Sequence, residues 1–367
     1  MGTDTIFDSA NWPAAESPFW GAVIFVFGSI VGSFLNVVIH RLPRGESVVS
    51  PPSHCPYCKY SIPWWLNIPL VTWLYLRGRC KNCGAPISAR YFLVELLTAV
   101  AFLAAWLAFR THSVPQALIY CMVLAGLLAA SFIDLEHLII PDELTIGGVI
   151  AGIFCSFLPA LHNQPTITAS VLQGFIGAAA GGGLIYAILR AGKLMFGRQK
   201  IILPAGTKIV FSETTLCLPD KEIPYEELFY RKSDTITLEG SMVETIDRGW
   251  RDAKIRLSQS RLLVNEDQFA PEDISHLEAV TDAIYLPREA MGLGDVKFMA
   301  AIGAFLGWQA VIFSLMVSSV IGSLVGGGLV LLGRKDWSSR LPYGPYIALA
   351  AVVWMFCGPA LAAWLLR

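Results

Sequence analysis

Apolar residues run nearly unbroken through most of this chain. Segments at roughly 19–40, 91–110, 115–133, 144–161, 170–190, 296–308, 309–332 and 342–366 reach or approach the roughly 20 residues a helix needs to cross a bilayer core. Only Gly307, Trp308 and Gln309 separate the sixth segment from the seventh, so one long tilted helix is the alternative there. The pattern changes between 198 and 288, where strand-like stretches at Lys208–Phe211, Thr235–Leu238 and Ile255–Leu263 alternate with Pro, Asp, Asn and Gly. The expectation is an all-α polytopic membrane protein of about eight transmembrane helices, carrying a β-rich soluble insert. Its organisation reads as an anchor helix (1–40), a loop domain (41–90), helices two to five (91–190), the insert (191–294) and helices six to eight (295–367). Gly28 and Gly32, Gly322 and Gly326, and the run Gly181, Gly182 and Gly183 are small-residue sites that let helices approach closely in lipid.

Composition sharpens this. Only 15% of the residues are charged, against about 25% in a soluble domain. The segment 191–294 alone holds 13 Lys/Arg and 17 Asp/Glu of the chain's 27 basic and 28 acidic residues. A formal net charge of -1 offers no field to gather nucleic acid, which excludes it as the main partner and leaves the lipid bilayer. In 41–90, Arg41, Arg44, Lys59, Arg77, Arg79, Lys81 and Arg90 face a single acid, Glu46. The positive-inside rule places that loop in the cytoplasm and the N-terminus, with Asp4, Asp8 and Glu16, outside. Counting forward, the 134–143 loop, the insert and the Arg334/Lys335 loop are also cytoplasmic. The first apolar run is expected to stay as an anchor, because no basic residue precedes it. Nothing in the sequence assigns an oligomeric state.

Four of the eight cysteines form two pairs, Cys55-Pro-Tyr-Cys58 and Cys80-Lys-Asn-Cys83, with 21 residues between them. Two such knuckles can present four thiolates tetrahedrally to Zn²⁺, and a closed four-sulfur shell makes the metal structural. A redox function would need only one pair. His54 reads as a flanking loop residue. The metal would hold a loop that has too little apolar surface to fold alone.

Two acids stand where cytoplasmic loops meet apolar helices, Asp134 at the end of the third segment and Asp295 at the start of the sixth. A single such Asp is most simply a helix cap. Two at one depth point to a carboxylate pair that shares a proton around a water, one acting as base while its protonated partner polarises a peptide carbonyl. Gly292 and Gly294 would let an extended substrate come close to Asp295. Asp142, after Pro141, is the rival and reads as a cap of the fourth helix. His137 reads as a bystander, and Glu95 as an intramembrane acid that could bond the loop or the substrate.

These stretches carry a resemblance: GSFLNVVIHRLPR (32–44), the two cysteine pairs, NIPLVTWLYLRGRC (67–80), ISARYFLVELLTA (87–99), FIDLEHLIIPDELT (132–145), GLGDVKF (292–298) and LPYGPYIA (341–348). Together the chain resembles the type IV prepilin peptidases, of the GxGD class of intramembrane aspartyl proteases. The resemblance implies an enzyme of the bacterial inner membrane that cleaves the basic leader of a prepilin or pseudopilin. It also implies methylation of the new N-terminal residue from S-adenosylmethionine. The catalytic pair would be Asp134 and Asp295, and the zinc ligands Cys55, Cys58, Cys80 and Cys83. Arg77 and Gly78 are the candidates for the methyl-donor site, and Glu136, Asp142 and Glu143 for attracting the leader's basic residues. The 198–288 insert is longer than the family leads one to expect. The competing functions are a peptidase without methylation and, in a different class, a proton-coupled transporter or assembly scaffold.

Overall fold

The computed structural model describes residues 17–196, 198–219, 221–225, 228–229, 234–245, 247–270, 276–287, 292–333 and 341–365. The acidic N-terminal residues and the Arg334/Lys335 loop lie outside these. The chain divides into two compact units, one of residues 1–185 with 293–367, the other of 186–292.

The first unit is helical: α1 (Pro18–Arg41), α2 (Val71–Tyr75), α3 (Ala89–Phe109), α4 (Val114–His137), α5 (Asp142–Cys155), α6 (Ile167–Phe196), α7 (Leu293–Leu306), α8 (Trp308–Leu331) and α9 (Gly344–Leu365). Serines start three of them. Ser17, Ser88 and Ser113 accept from Phe19, Arg90 and Gln116 backbone N–H groups, satisfying donors that the first helical turn leaves free.

The predicted span count is met only in part. Among the described residues, five helices, those starting at Pro18, Ala89, Val114, Ile167 and Trp308, are long and apolar enough to cross a membrane. α5 and α7 have 14 residues each, about 21 Å of helix, short of the hydrocarbon thickness of about 30 Å. Each stops for a local reason. Past α5 come Ser156, whose hydroxyl donates to the Ile153 carbonyl, and a 3-10 turn over Pro159–His162. α7 ends at Gly307, whose φ of 83° interrupts the helical path. The sixth and seventh segments are therefore separate helices rather than one tilted rod.

Glycines set how closely these helices meet. A Cβ on Gly28 would lie 2.9 Å from the Ala99 Cα, and one on Gly32 would lie 2.7 Å from the Glu95 Cα, so α1 and α3 touch backbone to backbone. Gly177 and Gly181 of α6 similarly admit the Gly303 and Met299 carbonyls of α7. Gly322 and Gly326 serve a different purpose from helix pairing: they accept Tyr343 and Leu341 of the segment leading into α9. Without water exclusion to drive them together, apolar helices in lipid gain most from such close packing.

The second unit takes up the end of α6 and is otherwise a sheet. Among the described residues, eight strands, β1 (Arg198–Ser212), β2 (Thr215–Leu218), β3 (Lys221–Pro224), β4 (Ile236–Thr245), β5 (Gly249–Ser258), β6 (Arg261–Val264), β7 (Asp267–Phe269) and β8 (His276–Pro287), form one antiparallel sheet in the order β3-β2-β1-β8-β4-β5-β6-β7. The expected stretches fall inside it except for Thr235, just before β4, with Ile255–Leu263 split into β5 and β6 by a turn at Gln259–Ser260. Ile209, Phe211, Ile236, Leu238, Ile255, Leu257, Leu277 and Ile284 build its core. β1 and β8 pair over most of their length, with a register shift between Ile202 and Thr207.

Candidate active site

Two short hairpins of identical design hold the cysteine quartet. In the first, the Cys55 N–H donates to Tyr60 and the Lys59 N–H returns to Cys55; in the second, Cys80 donates to Ala85 and Gly84 returns to Cys80. The fourth residue after each leading cysteine adopts positive φ, 56° at Lys59 and 71° at Gly84. The turns aim four sulfurs at one point: Cys55 and Cys83 Sγ lie 3.8 Å apart, Cys58 and Cys80 Sγ 4.0 Å, and all four within 4.8 Å of one another. A tetrahedral zinc with Zn–S bonds of about 2.3 Å requires sulfurs about 3.8 Å apart, so the residues fit that ion. Asn82 donates across the knuckles to Cys58 Sγ. That bond and the Tyr60 amide bring the Cys58 thiol down to about 6, toward the thiolate a metal needs. The His54 ring is bonded to the Pro52 carbonyl and stands outside the quartet.

Asp134 occupies the last turn of α4 and is 5% exposed; Asp295 occupies the first turn of α7 and is 9% exposed. Asp134 Oδ2 accepts a 2.7 Å bond from the Gly344 N–H, and the Tyr343 amide points to the same carboxylate. The free N–H groups at the start of α9 thus receive an acid from a distant helix. Gly344 has no room for a side chain: its Cβ would meet Asp134 Oδ2 at 2.9 Å and Ile140 Cδ1 at 3.2 Å. Gly294, next to Asp295, faces the same residue, with a Cβ position 3.4 Å from Ile140 Cβ. Ile140 is therefore the shared floor of three turns: 138–141, the GLGD turn and the entry to α9.

The neighbouring charges are paired. Asp142 lies in the first turn of α5 as expected, but its carboxylate takes Lys297 of α7 at 2.6 Å rather than capping its own helix, whose N-cap is Pro141 without a side-chain bond. The reason is position: Lys297 comes from the helix packed against α5. Glu136 pairs with Arg90. His137 Nε2 is buried with no partner among the described residues. Glu95, 8% exposed, accepts the Leu70 N–H of the cysteine-bearing loop at 2.7 Å. Leu70 itself has φ 62°, a strained setting for a side-chain residue. Gly78 spends its backbone inside the loop, donating to Trp73 and accepting from Ile87, while Arg77 is exposed.

Sequence reading missed Tyr343, Gly344 and Lys297 as parts of this site. A signal existed for Gly344: Pro345 follows it, and proline in the first turn marks a helix start, hence free amides seeking an acid.

The chain matches the bacterial peptidase A24 N-terminal domain over residues 26–109 and the type IV leader peptidase family over 121–218 and 275–327, the second match leaving out β3 to β7. A prepilin leader peptidase/N-methyltransferase of Aeromonas hydrophila is 30% identical over 370 residues, covering 94% of this chain and 93% of that protein. One from Myxococcus xanthus is 30% identical over 361 residues, with 97% and 78% coverage. The Escherichia coli type 4 prepilin-like proteins leader peptide-processing enzyme is 44% identical over 171 residues, 41% of this chain and 62% of that one. No solved structure matches the chain significantly. On the strength of these near-full-length likenesses, the chain belongs to the type IV leader peptidase family.

Proposed function

We propose that the protein is a membrane aspartyl endopeptidase that removes the basic leader of prepilins or pseudopilins and then methylates the new N-terminal amine. The observation that carries the peptidase reading is the convergence at Ile140 of the GLGD turn and the α9 amides that grip Asp134. In the reaction, one of Asp134 and Asp295 takes a proton from water as its oxygen bonds to the scissile carbonyl carbon. The other, protonated, hydrogen-bonds the carbonyl oxygen; collapse of the tetrahedral adduct then breaks the C–N bond as the departing nitrogen takes a proton. Burial excludes competing water and strengthens these hydrogen bonds.

Cys55, Cys58, Cys80 and Cys83 would hold Zn²⁺ as a cross-link of the 41–90 loop. S-adenosylmethionine supplies the methyl group, and the exposed cation of Arg77, at the Arg77–Gly78 turn, suits an anionic group of that donor. The enzyme would sit in the bacterial inner membrane, with about eight apolar helices and with the basic loop and active site facing the cytoplasm. Replacing Asp134 and Asp295 separately with Asn in reconstituted membranes tests the peptidase reading. Both variants should leave prepilin full length while staying folded; normal processing by either one would overturn the pair, with Asp142 next in line.

A further inference from the structure

Where α1, α3 and the cysteine-bearing loop meet, two polar side chains, Asn36 and Glu95, lie buried beside the half-buried Ser33 and Leu70. Asn36, 2% exposed, donates through Nδ2 to the Gly32 and Tyr91 carbonyls at 3.3 and 3.0 Å. Because both partners are acceptors, they fix which end of the amide is oxygen, and that Oδ1 is buried without a partner. Ser33, one turn before Asn36, bonds the Glu95 carboxylate, and Glu95 also takes the Leu70 N–H. Gly32 sits against the Glu95 Cα while Asn36 reaches Tyr91 one turn away, so Asn36 and Glu95 belong to one seam. All the open valences here are acceptors. A carboxylate offers about four lone-pair sites, of which Leu70 and Ser33 use two.

A neutral glutamine would serve Leu70 and Ser33 equally well. An acid within an apolar helix is costly, and an orphaned buried amide oxygen costs about 1–3 kcal/mol. Both costs are recovered by a ligand that brings several N–H donors and a positive charge. We propose that Asn36 Oδ1 and the Glu95 carboxylate bind a primary ammonium group, and that this cluster seats an amine of the methyl-transfer reaction. The proposal rests on the methylation reading above for its purpose, though not for its chemistry. Two sources share that chemistry: the α-amino terminus freed by leader removal, and the amino-acid end of the methyl donor.

The test is equilibrium binding to the purified full-length protein in lipid nanodiscs. One probe is an apolar peptide beginning with Phe, with free or acetylated amino terminus; the other is labelled S-adenosylmethionine. Glu95→Gln keeps acceptors for Leu70 and Ser33 and removes only charge, and Asn36→Ala removes the orphan oxygen. At least a tenfold loss of free-amine peptide binding in both, with the acetylated peptide unmoved, supports the proposal and assigns the peptide as source. The same loss for S-adenosylmethionine alone supports it with the donor as source. Unchanged binding of both probes overturns it. So does a parallel fall in binding, cleavage and zinc content, which would mark a purely structural role. Absence of methylation by the wild type alongside amine-sensitive peptide binding would instead sink the methylation reading and leave the site standing.

Discussion

Gly344→Ala is a small change with a calculable effect on cleavage. The added methyl would lie 2.9 Å from Asp134 Oδ2 and 3.2 Å from both Asp134 Cβ and Ile140 Cδ1. Real Cβ atoms do not approach oxygen that closely, so either the carboxylate turns away or the start of α9 withdraws. In both cases the 2.7 Å bond from the Gly344 N–H is lost. A hydrogen bond to a charged group contributes about 1.5–3 kcal/mol; if about 2 kcal/mol of that acts in the transition state, leader cleavage slows about 30-fold. The assay is the initial rate of leader removal from purified prepilin in bilayers, beside methylation of already-cleaved pilin and thermal unfolding. Gly126→Ala is the control, because its Cβ would meet nothing within 4 Å. The reasoning is refuted if Gly344→Ala cleaves within about threefold of wild type, or if methylation falls as far as cleavage.

Lys297 lies two positions beyond Asp295 and ties α7 to Asp142; because both side chains are exposed, the pair contributes under about 1 kcal/mol, so Lys297→Met and Asp142→Asn should each slow cleavage only about two- to fivefold. The exchanged double variant Asp142→Lys/Lys297→Asp should recover part of it, and a double variant no better than either single would remove the ion pair as the cause. Cys80→Ser, or chelation, should expose the 41–90 loop to proteolysis and lower methylation before cleavage; an unaltered digestion pattern would refute a cross-linking metal. Gly181→Val should destabilise the helical unit by several kcal/mol, because Met299 and Ala300 of α7 occupy the space; unchanged thermal unfolding would refute the close approach of α6 and α7. In the sheet unit, Lys208 and His276 hold the Glu278 carboxyl below the usual glutamate range. A depressed carboxyl gives stability that is complete above the unfolded glutamate pKa and disappears as pH falls through the lower folded value. Hydrogen-exchange protection of β8 should therefore weaken with acid below about pH 4.3 in wild type and less steeply in Glu278→Gln.

What could be read without coordinates divides along physical lines. The two cysteine pairs were legible because a metal shell needs four sulfurs and local turns deliver them two at a time. A close helix approach on α1 was legible because Gly28 and Gly32 recur at helical spacing, but not that α3 is the partner. Span length was less so: hydropathy over 144–161 runs on past Cys155, but a helix ends where Ser156 and Pro159 redirect the backbone. Part of the sheet escaped for a related reason. β2, β3 and β7 have three or four residues each, too few for alternation to stand out, and their conformation is imposed by the neighbours that pair with them; β8, twelve residues long, was missed although length does not explain it.

The site shows the same division in its charges. Asp134, Asp295, Asp142 and Glu95 could be singled out because an acid beside apolar sequence is expensive wherever the chain folds. Their partners could not, because expense says nothing about who relieves it. Asp134 is met by an amide 210 residues away, Asp142 by a lysine 155 residues away, and Glu95 by the backbone of a loop whose course depends on the cysteine hairpins. Two of these three partners are backbone N–H groups, which carry no residue-type signature at all. A carboxylate in an apolar setting therefore marks a site in the sequence, while the groups that orient it emerge only when helix ends and turns are assembled around it. For this chain that assembly is what separates Asp142, neutralised by Lys297, from Asp134, whose oxygen is held by the start of α9 beside the turn that carries Asp295.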